Sequence, residues 1–423
     1  MTARVDSKLR KKIEWLLRRA EGALLPEAIL AREGAHLAPD DALRRLDELA
    51  RERPDLGLGL GLDLAPRLAH LGDALASDTR RRGYVDRFGC AGVRRFTAPP
   101  NVTIYLMPVE TFPRHINNVY LLIEPGHAMI FDVGSGLPSS QRDLDLGFAI
   151  VRAAFGEDAR YEAIDTAIVS HAHIDHFGGV ADLKVRTRAR LCVHELDARV
   201  LAGFEERVII ASKDVEVFLC RAGVPTEERD RMLALYMSSR GWFKSVEVDR
   251  TLRDGDLVGN GHRVIHTPGH CPGEICLQVG DVLLTGDHVL ARITPHQFPQ
   301  AITPFGGLEH YFHSLAKVRK LELVNLALAG HEEPIHDFRA RVDEIASFHR
   351  ERLLKVREIC ALPRTIAEVA AEMFGAQEGY GSILAIEEAG AHVEYLHALG
   401  KLAIANLDEV KSARDPVFRY IRR

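Results

Sequence analysis

At 423 residues, the chain has room for about three folding units of the usual domain size, which excludes a mini-protein and a single small domain. Hydrophobic residues make up 46% and charged residues 27%, enough apolar material for a core and too little compositional bias for a disordered or collagen-like chain. A formal charge of -5 excludes a protein that relies on a global basic field to hold nucleic acid.

The N-terminal MTARVDSKLRKKIEWLLRRAEG has charge every two or three positions and so no signal-peptide core. Residues 1–95 read as a helical N-terminal extension: Leu9, Ile13, Leu16, Leu17 and Ala20 share one face, a second helix begins near Pro26, and Asp40 caps a third. The LGLGLGL run at 56–62 is read as a connector, because no strand precedes it and no G-K-[ST] follows. Arg80, Arg81 and Arg82 read as a solvated cluster at a helix end. From about 100 the pattern changes to short strands, VTIYLMPV, NVYLLIE and HAMIFDVG, with a turn at Glu124-Pro125-Gly126. A helical stretch at 139–155 leads to the apolar AIDTAIVS, and strands and helices alternate to about 340, the pattern of an α/β domain. A mainly helical insertion occupies about 195–248. After 346, three helical segments and a strand, with DPVFRYIRR as its partner, suit a winged helix-turn-helix over 347–423. No run reaches the roughly 18 apolar residues of a membrane span. The six cysteines form no C-x-x-C pair, which fits a reducing, cytoplasmic setting.

The chemistry concentrates at Ser170-His171-Ala172-His173-Ile174-Asp175-His176-Phe177-Gly178-Gly179, where an apolar strand empties into four candidate metal ligands. So dense a group of histidines in a core leaves ring nitrogens without partners, whereas imidazole and carboxylate together suit a borderline divalent ion such as zinc. Three more polar residues stand at strand ends: His270 in VIHTPGHCPGE, Asp287 in DVLLTGDHV and His331 in LALAGHEEP. Asp132 in MIFDVGSG precedes them all.

In this order the motifs resemble the signature of the metallo-β-lactamase superfamily over about residues 100–340. The resemblance implies an αββα sandwich spanning 96–346 with a dinuclear site at one edge. It implies His171, His173 and His270 on the first ion, Asp175, His176 and His331 on the second, and Asp287 between them. Asp132 matches the superfamily's early aspartate, which orients ligands, and the resemblance implies that Asp132, Asp175 and Asp287 are the carboxylates of the catalytic machinery. Two divalent ions are expected, zinc first, with iron or manganese as alternatives. Cys271 is read as a small buried residue. His288 and His296 are candidates for substrate contact or proton transfer; His194 and His336 are read as solvated.

An aspartate ligand at 175 resembles the glyoxalase II and ribonuclease Z branches. The insertion and the tail resemble the β-lactamase-like protein 2 group, whose members cleave RNA or thioesters. Against a nuclease stand the spacing of 44 positions from Asp287 to His331 (331 - 287), too short for a β-CASP insertion, and the lack of a HEAT-type motif. Glu387, Glu388 and Glu394 in the tail are further read as repelling phosphates. The expectation is a hydrolase in which a water acidified between two metals attacks a thioester or ester of a small-molecule acyl substrate. The runner-up is an endoribonuclease or phosphodiesterase, and the third reading a metal-stabilised scaffold. The tail is expected to be structural or to form a homodimer, with neither nucleic acid nor membrane as a partner.

Overall fold

A computed structural model describes residues 92–113, 115–238 and 243–423. The expected N-terminal helices, the 56–62 connector and Arg80, Arg81 and Arg82 lie outside the described residues. The chain divides into two compact units, one ending at Ile168 and rejoined by Ile174–Arg190, the other formed by Val169–His173 with Leu191–Arg423. Among the described residues, no helix is long and apolar enough to cross a membrane.

In the first unit, β1 (Arg94–Ala98), β2 (Val102–Phe112), β3 (His115–Glu124) and β4 (His127–Phe131) form an antiparallel meander. Pro125 and Gly126 make the tight turn between β3 and β4: Pro fixes the first central φ and Gly126 takes φ 82°, as that turn type demands. Helix α1 (Pro138–Phe155) starts with Pro at its first turn, where no intrahelical N–H bond is lost, and stops at Gly156 in the left-handed region. β5 (Thr166–Ile168) then pairs in parallel with β4. The core contains Tyr105, Leu106, Tyr120, Phe131 and Phe148, all buried. Two short helices, α2 (Ile174–Phe177) and α3 (Val180–Arg186), complete this unit.

In the second unit β6 (Arg190–His194) runs parallel to β7 (Arg250–Leu252). Between them lie α4 (Glu195–Ala202), α5 (Phe204–Arg221) and α6 (Thr226–Met237), the expected helical insertion. A five-stranded sheet follows in the order β12 (Leu326–Ala329), β11 (Val282–Gly286), β10 (Ile275–Val279), β9 (His262–His266), β8 (Leu257–Val258). All its pairs are antiparallel except β11 with β12. Helices α7 (Leu308–Arg319) and α8 (Phe338–Ile359) bury Tyr311, Leu315, Val318, Val342 and Ile345 in one core with Ile265, Cys276 and Leu283.

The C-terminal region continues from α8 through α9 (Ile366–Phe374), α10 (Tyr380–Ala398), β13 (Leu402–Ile404), α11 (Leu407–Ser412) and β14 (Tyr420–Arg422), with β13 antiparallel to β14. A reciprocal capping box, Thr365 with Glu368, starts α9. Its apolar face joins Val215, Phe218 and Leu219 of α5 in a second core with Val369, Ile383, Ala389 and Val393. Each large side chain so buried contributes about 1.5–3 kcal/mol. The tail is therefore built onto the insertion.

Candidate metal centre

In the first unit Asp132 follows the end of β4 with φ 63°, a left-handed conformation uncommon outside glycine and often retained where a side chain must be aimed. Its N–H donates to the Ile168 carbonyl at 2.8 Å. Its Oδ2 accepts from His176 Nδ1, also at 2.8 Å. That bond fixes the imidazole tautomer and reserves Nε2 for a ligand. β3 supplies two residues that no sequence motif marks, His115 and Asn117, two positions apart and so on one strand face. Asn117 Nδ2 donates to Asp175 Oδ2 at 3.1 Å and lies 3.1 Å from His176 Nε2, while His115 Nε2 is 3.0 Å from Asp175 Oδ2. The backbone bonds Val133 N–H to His176 O (2.9 Å) and Gly179 N–H to Gly134 O (3.0 Å) hold α2 against the β4–α1 loop. A Cβ on Gly136 would stand 2.7 Å from the Gly178 carbonyl, so this approach requires glycine.

In the second unit the segment carrying His171 and His173 is held by Ile275 N–H donating to Ser170 O at 2.9 Å. His171 Nε2 lies 2.9 Å from His173 Nδ1, and the ring centroids of His171, His173 and His270 are separated by 4.6–5.2 Å. One nitrogen from each lies within 4.8 Å of the others. His270 Nδ1 donates to the His296 carbonyl at 2.6 Å, which again leaves Nε2 for a ligand. Asp287, directly after β11, places Oδ2 3.2 Å from His331 Nε2 and 3.9 Å from His270 Nε2. The Phe298 ring sits beside His173 and His270, at 5.9 and 6.3 Å.

Three imidazoles with a nitrogen pair at 2.9 Å repel one another if protonated, whereas neutral rings, with Nδ1 of His171 beside Ser170 Oγ and Nδ1 of His270 on the His296 carbonyl, are the donor set of a zinc-type ion. The residues therefore fit a divalent metal. A family model described as the metallo-beta-lactamase superfamily matches residues 113–332, just over half of the chain. The chain belongs to the metallo-β-lactamase superfamily. It is 28% identical to the Homo sapiens acyl-coenzyme A thioesterase MBLAC2 over 184 residues, 41% of this chain and 58% of that protein. The chain thus matches little more than half the length of that relative. Among solved structures, a metallo-beta-lactamase family protein from Thermus thermophilus is similar with a TM-score of 0.61 and 26% identity, over 76% of this chain and 98% of that one. A beta-lactamase domain protein from Burkholderia ambifaria gives 0.62 and 26%, over 78% and 94%.

Around the superfamily's ligand motifs stand two carboxylates that carry no motif of their own. Asp197, buried on α4, accepts from Ala172 N–H at 2.8 Å, from Gly273 N–H at 2.9 Å and from the Cys271 thiol at 3.4 Å. It ties the His171–His173 loop to the loop after His270. Burial pushes its carboxyl up to about 6, against the lowering effect of those donors. Glu274, also buried, accepts from Asp287 N–H at 2.8 Å and lies 4.0 Å from His171 Nδ1. Cys271 is buried as expected, and burial raises its thiol well above the ordinary range.

Of the remaining histidines His336 is exposed, as expected. His194 corrects the expectation of a solvated ring: it is buried, stacks on His266 at 3.8 Å, and accepts from Leu196 N–H to cap α4. Protonation at Nδ1 would cost that cap. His288 is fully buried, edge-on to Tyr311, and the His296 side chain faces Glu387 and Glu388 at 3.4 Å each. Burial and the neighbouring His266 lower His194 to about 3, and burial holds His349 at about 3 as well. Both bind a proton near pH 6.5 when unfolded but only near pH 3 when folded. Their contribution is complete above pH 6.5 and falls as pH drops toward 3, by at most about 1.4 kcal/mol per pH unit for each histidine. Denaturation midpoints measured from about pH 7.5 to about pH 5 should decline less steeply in His194→Phe, which keeps a ring on His266. Equal slopes in the two proteins would refute the assignment to His194.

Proposed function

We propose that this chain is a metal-dependent hydrolase of acyl thioesters, acting on an acyl-coenzyme A or another acyl carrier. The observation that carries it is the converged His171, His173 and His270 set with Asp287 and His331 at neighbouring strand ends. The relative named an acyl-coenzyme A thioesterase supports the choice of substrate. In this reading the superfamily pattern assigns His171, His173 and His270 to one ion, Asp175, His176 and His331 to a second, and Asp287 to both. Bound divalent ions supply an acidified water and a Lewis acid for the carbonyl oxygen.

The protein's own residues hold that arrangement in place. Asp132 fixes the His176 ring and the His296 carbonyl fixes the His270 ring, each through Nδ1. Asp197 and Glu274 hold the backbone that bears His171, His270 and Asp287. Phe298 places an apolar ring beside His173 and His270, where it limits access of bulk water to that face. A thiolate leaving group needs little protonation, so the reaction requires no dedicated general acid.

The tail is assigned a structural role in this reading, but for a reason other than the expected one. Glu387 and Glu388 are only 2% and 5% exposed, so they present no acidic surface to phosphates and cannot repel them as expected. The function is tested with metal-loaded protein on acyl-coenzyme A, S-acyl-glutathione, lactone, nitrophenyl phosphodiester and RNA, with and without chelator. Free thiol should appear from at least one acyl-coenzyme A or acyl-carrier substrate, vanish with chelator, and be abolished in His173→Ala. A silent thioester panel together with metal-dependent RNA cleavage would replace this reading with a nuclease.

A further inference from the structure

We propose that Glu388, supported by Glu394, is a positioning residue of the metal centre, acting from helix α10 through residues 295–301 on His270. The inference rests on the reading of His270 as a metal ligand. The His296 carbonyl that accepts from His270 Nδ1 belongs to a segment without helix or strand. Something else must therefore fix its position.

The tail supplies that support on the C-terminal side of the His296 carbonyl. Gln297 N–H donates to Glu388 Oε2 at 2.7 Å, and Gln300 and Ala301 N–H donate to the two oxygens of Glu394 at 2.5 and 3.0 Å. The His296 ring stands between Glu387 and Glu388. The fit of α10 to the segment is close: a Cβ on Gly390 would lie 2.9 Å from Pro299 Cγ and 2.7 Å from Phe218 Cζ. The same segment carries Phe298, the ring beside His173 and His270. Any slack in it would move a hydrogen-bond acceptor and an aromatic neighbour of the ligands together.

Glu388 is anchored in turn. Arg352 NH1 on α8 donates to Glu388 Oε1 at 2.6 Å, and His349 Nδ1 lies 3.2 Å from His392 Nε2. Burial alone would raise the carboxyl, but the charged groups beside it, the Arg352 guanidinium among them, outweigh burial and hold Glu388 below the usual range. His349, Glu388 and His392 have the chemistry of metal ligands and lie within 4.8 Å of one another. Here, however, the guanidinium already neutralises the carboxylate, and His392 Nδ1 donates to the Glu388 carbonyl at 2.7 Å on its own helix. Both Glu388 oxygens thus already accept hydrogen bonds, Oε1 from Arg352 and Oε2 from Gln297 N–H, which suits an anchor, while His349 Nε2 is left without a hydrogen-bond partner.

The test uses the full chain loaded with zinc or with cobalt(II), comparing wild type with Glu388→Gln and Glu394→Gln. Zinc affinity is read by chelator competition, ligand geometry by the visible cobalt(II) spectrum, and fold by the melting temperature of the metal-free protein. Loss of a direct outer-shell partner costs about 10–100-fold in metal affinity, and Glu388 acts one link further out, so Glu388→Gln is expected to weaken zinc by up to about 10-fold and to shift the cobalt bands. Glu394→Gln is expected to act in the same direction and more weakly. A change in melting temperature with zinc affinity and cobalt spectrum both as in wild type would overturn the proposal, since that is the signature of a merely structural role. If Glu388→Gln does not fold, Glu394→Gln decides on the same readouts. A wild-type chain that binds no zinc would overturn the metal reading itself, a result distinct from wild-type zinc binding that the glutamate variants leave unchanged.

Discussion

In the proposed two-ion assignment, Asp287→Ala is expected to lower the metal content from two tightly held ions per chain to less than one, with affinity falling by more than about 100-fold. Even an outer-shell change costs about 10–100-fold, and in the proposed assignment this one removes a ligand. Asp287 is the carboxylate that the second unit brings to its histidines, with Oδ2 3.2 Å from His331 Nε2 and 3.9 Å from His270 Nε2. Without it His171, His173, His270 and His331 are neutral donors, and nothing within that set balances the charge of a divalent cation. Asp287→Asn separates charge from shape: the side chain still fills its place, so any remaining loss belongs to the missing negative charge. Elemental analysis after dialysis, paired with thioester turnover, reads both variants. Two tightly held ions and full activity in Asp287→Ala would show that the ligand assignment is wrong.

Asp197→Ala is expected to cost about 1–3 kcal/mol of folding stability for the buried N–H that loses its acceptor, and a smaller amount for the part-buried one. Those groups belong to Ala172 and Gly273, at 2.8 and 2.9 Å from the carboxylate. They lie in the two loops that present His171, His173 and His270. The variant should therefore lose metal as well as stability, which a cavity elsewhere in the core would not cause. Asp197→Asn keeps one acceptor oxygen and should fall between alanine and wild type. Denaturant titration with chelator present isolates the folding term, and zinc competition isolates the other. An alanine variant as stable as wild type under chelation would remove Asp197 from the account.

What the sequence disclosed of this site were the residues that terminate strands. A histidine or aspartate after an apolar run breaks the pattern of a buried strand, so His171, Asp287 and His331 stand out one by one, and their order resembles the superfamily signature. Asp197 and Glu274 gave no such signal. A single acid near the start of α4 looks like any residue that complements a helix N-terminus, and only the fold shows that its carboxylate faces two loops. His115 and Asn117 were hidden differently, because their strand face becomes informative only once β3 is placed beside Asp175. The tail glutamates show the opposite error. Their charge was legible and their direction was not, so Glu387 and Glu388 read as an acidic surface although both are buried. The strands of the meander and the helices of the insertion were legible because their periods of about two and about 3.6 residues are set by the buried faces themselves.

β11 and β12 are parallel neighbours, so the chain must leave one, cross over carrying α7, and return before they can pair. Asp287 and His331 sit just beyond the two strands, 44 residues apart (331 - 287), and His173 and His270 are 97 apart (270 - 173). Closures of this span are the slow steps of folding. The unfolded chain offers no assembled set of donors, so an ion engages only a chain that has completed these crossovers. A divalent ion held as proposed would act on the folding equilibrium by mass action, adding about 2.7 kcal/mol when free metal stands at about 100 times the dissociation constant. In the proposed reading, uptake of the ion during refolding would therefore report that both crossovers are complete.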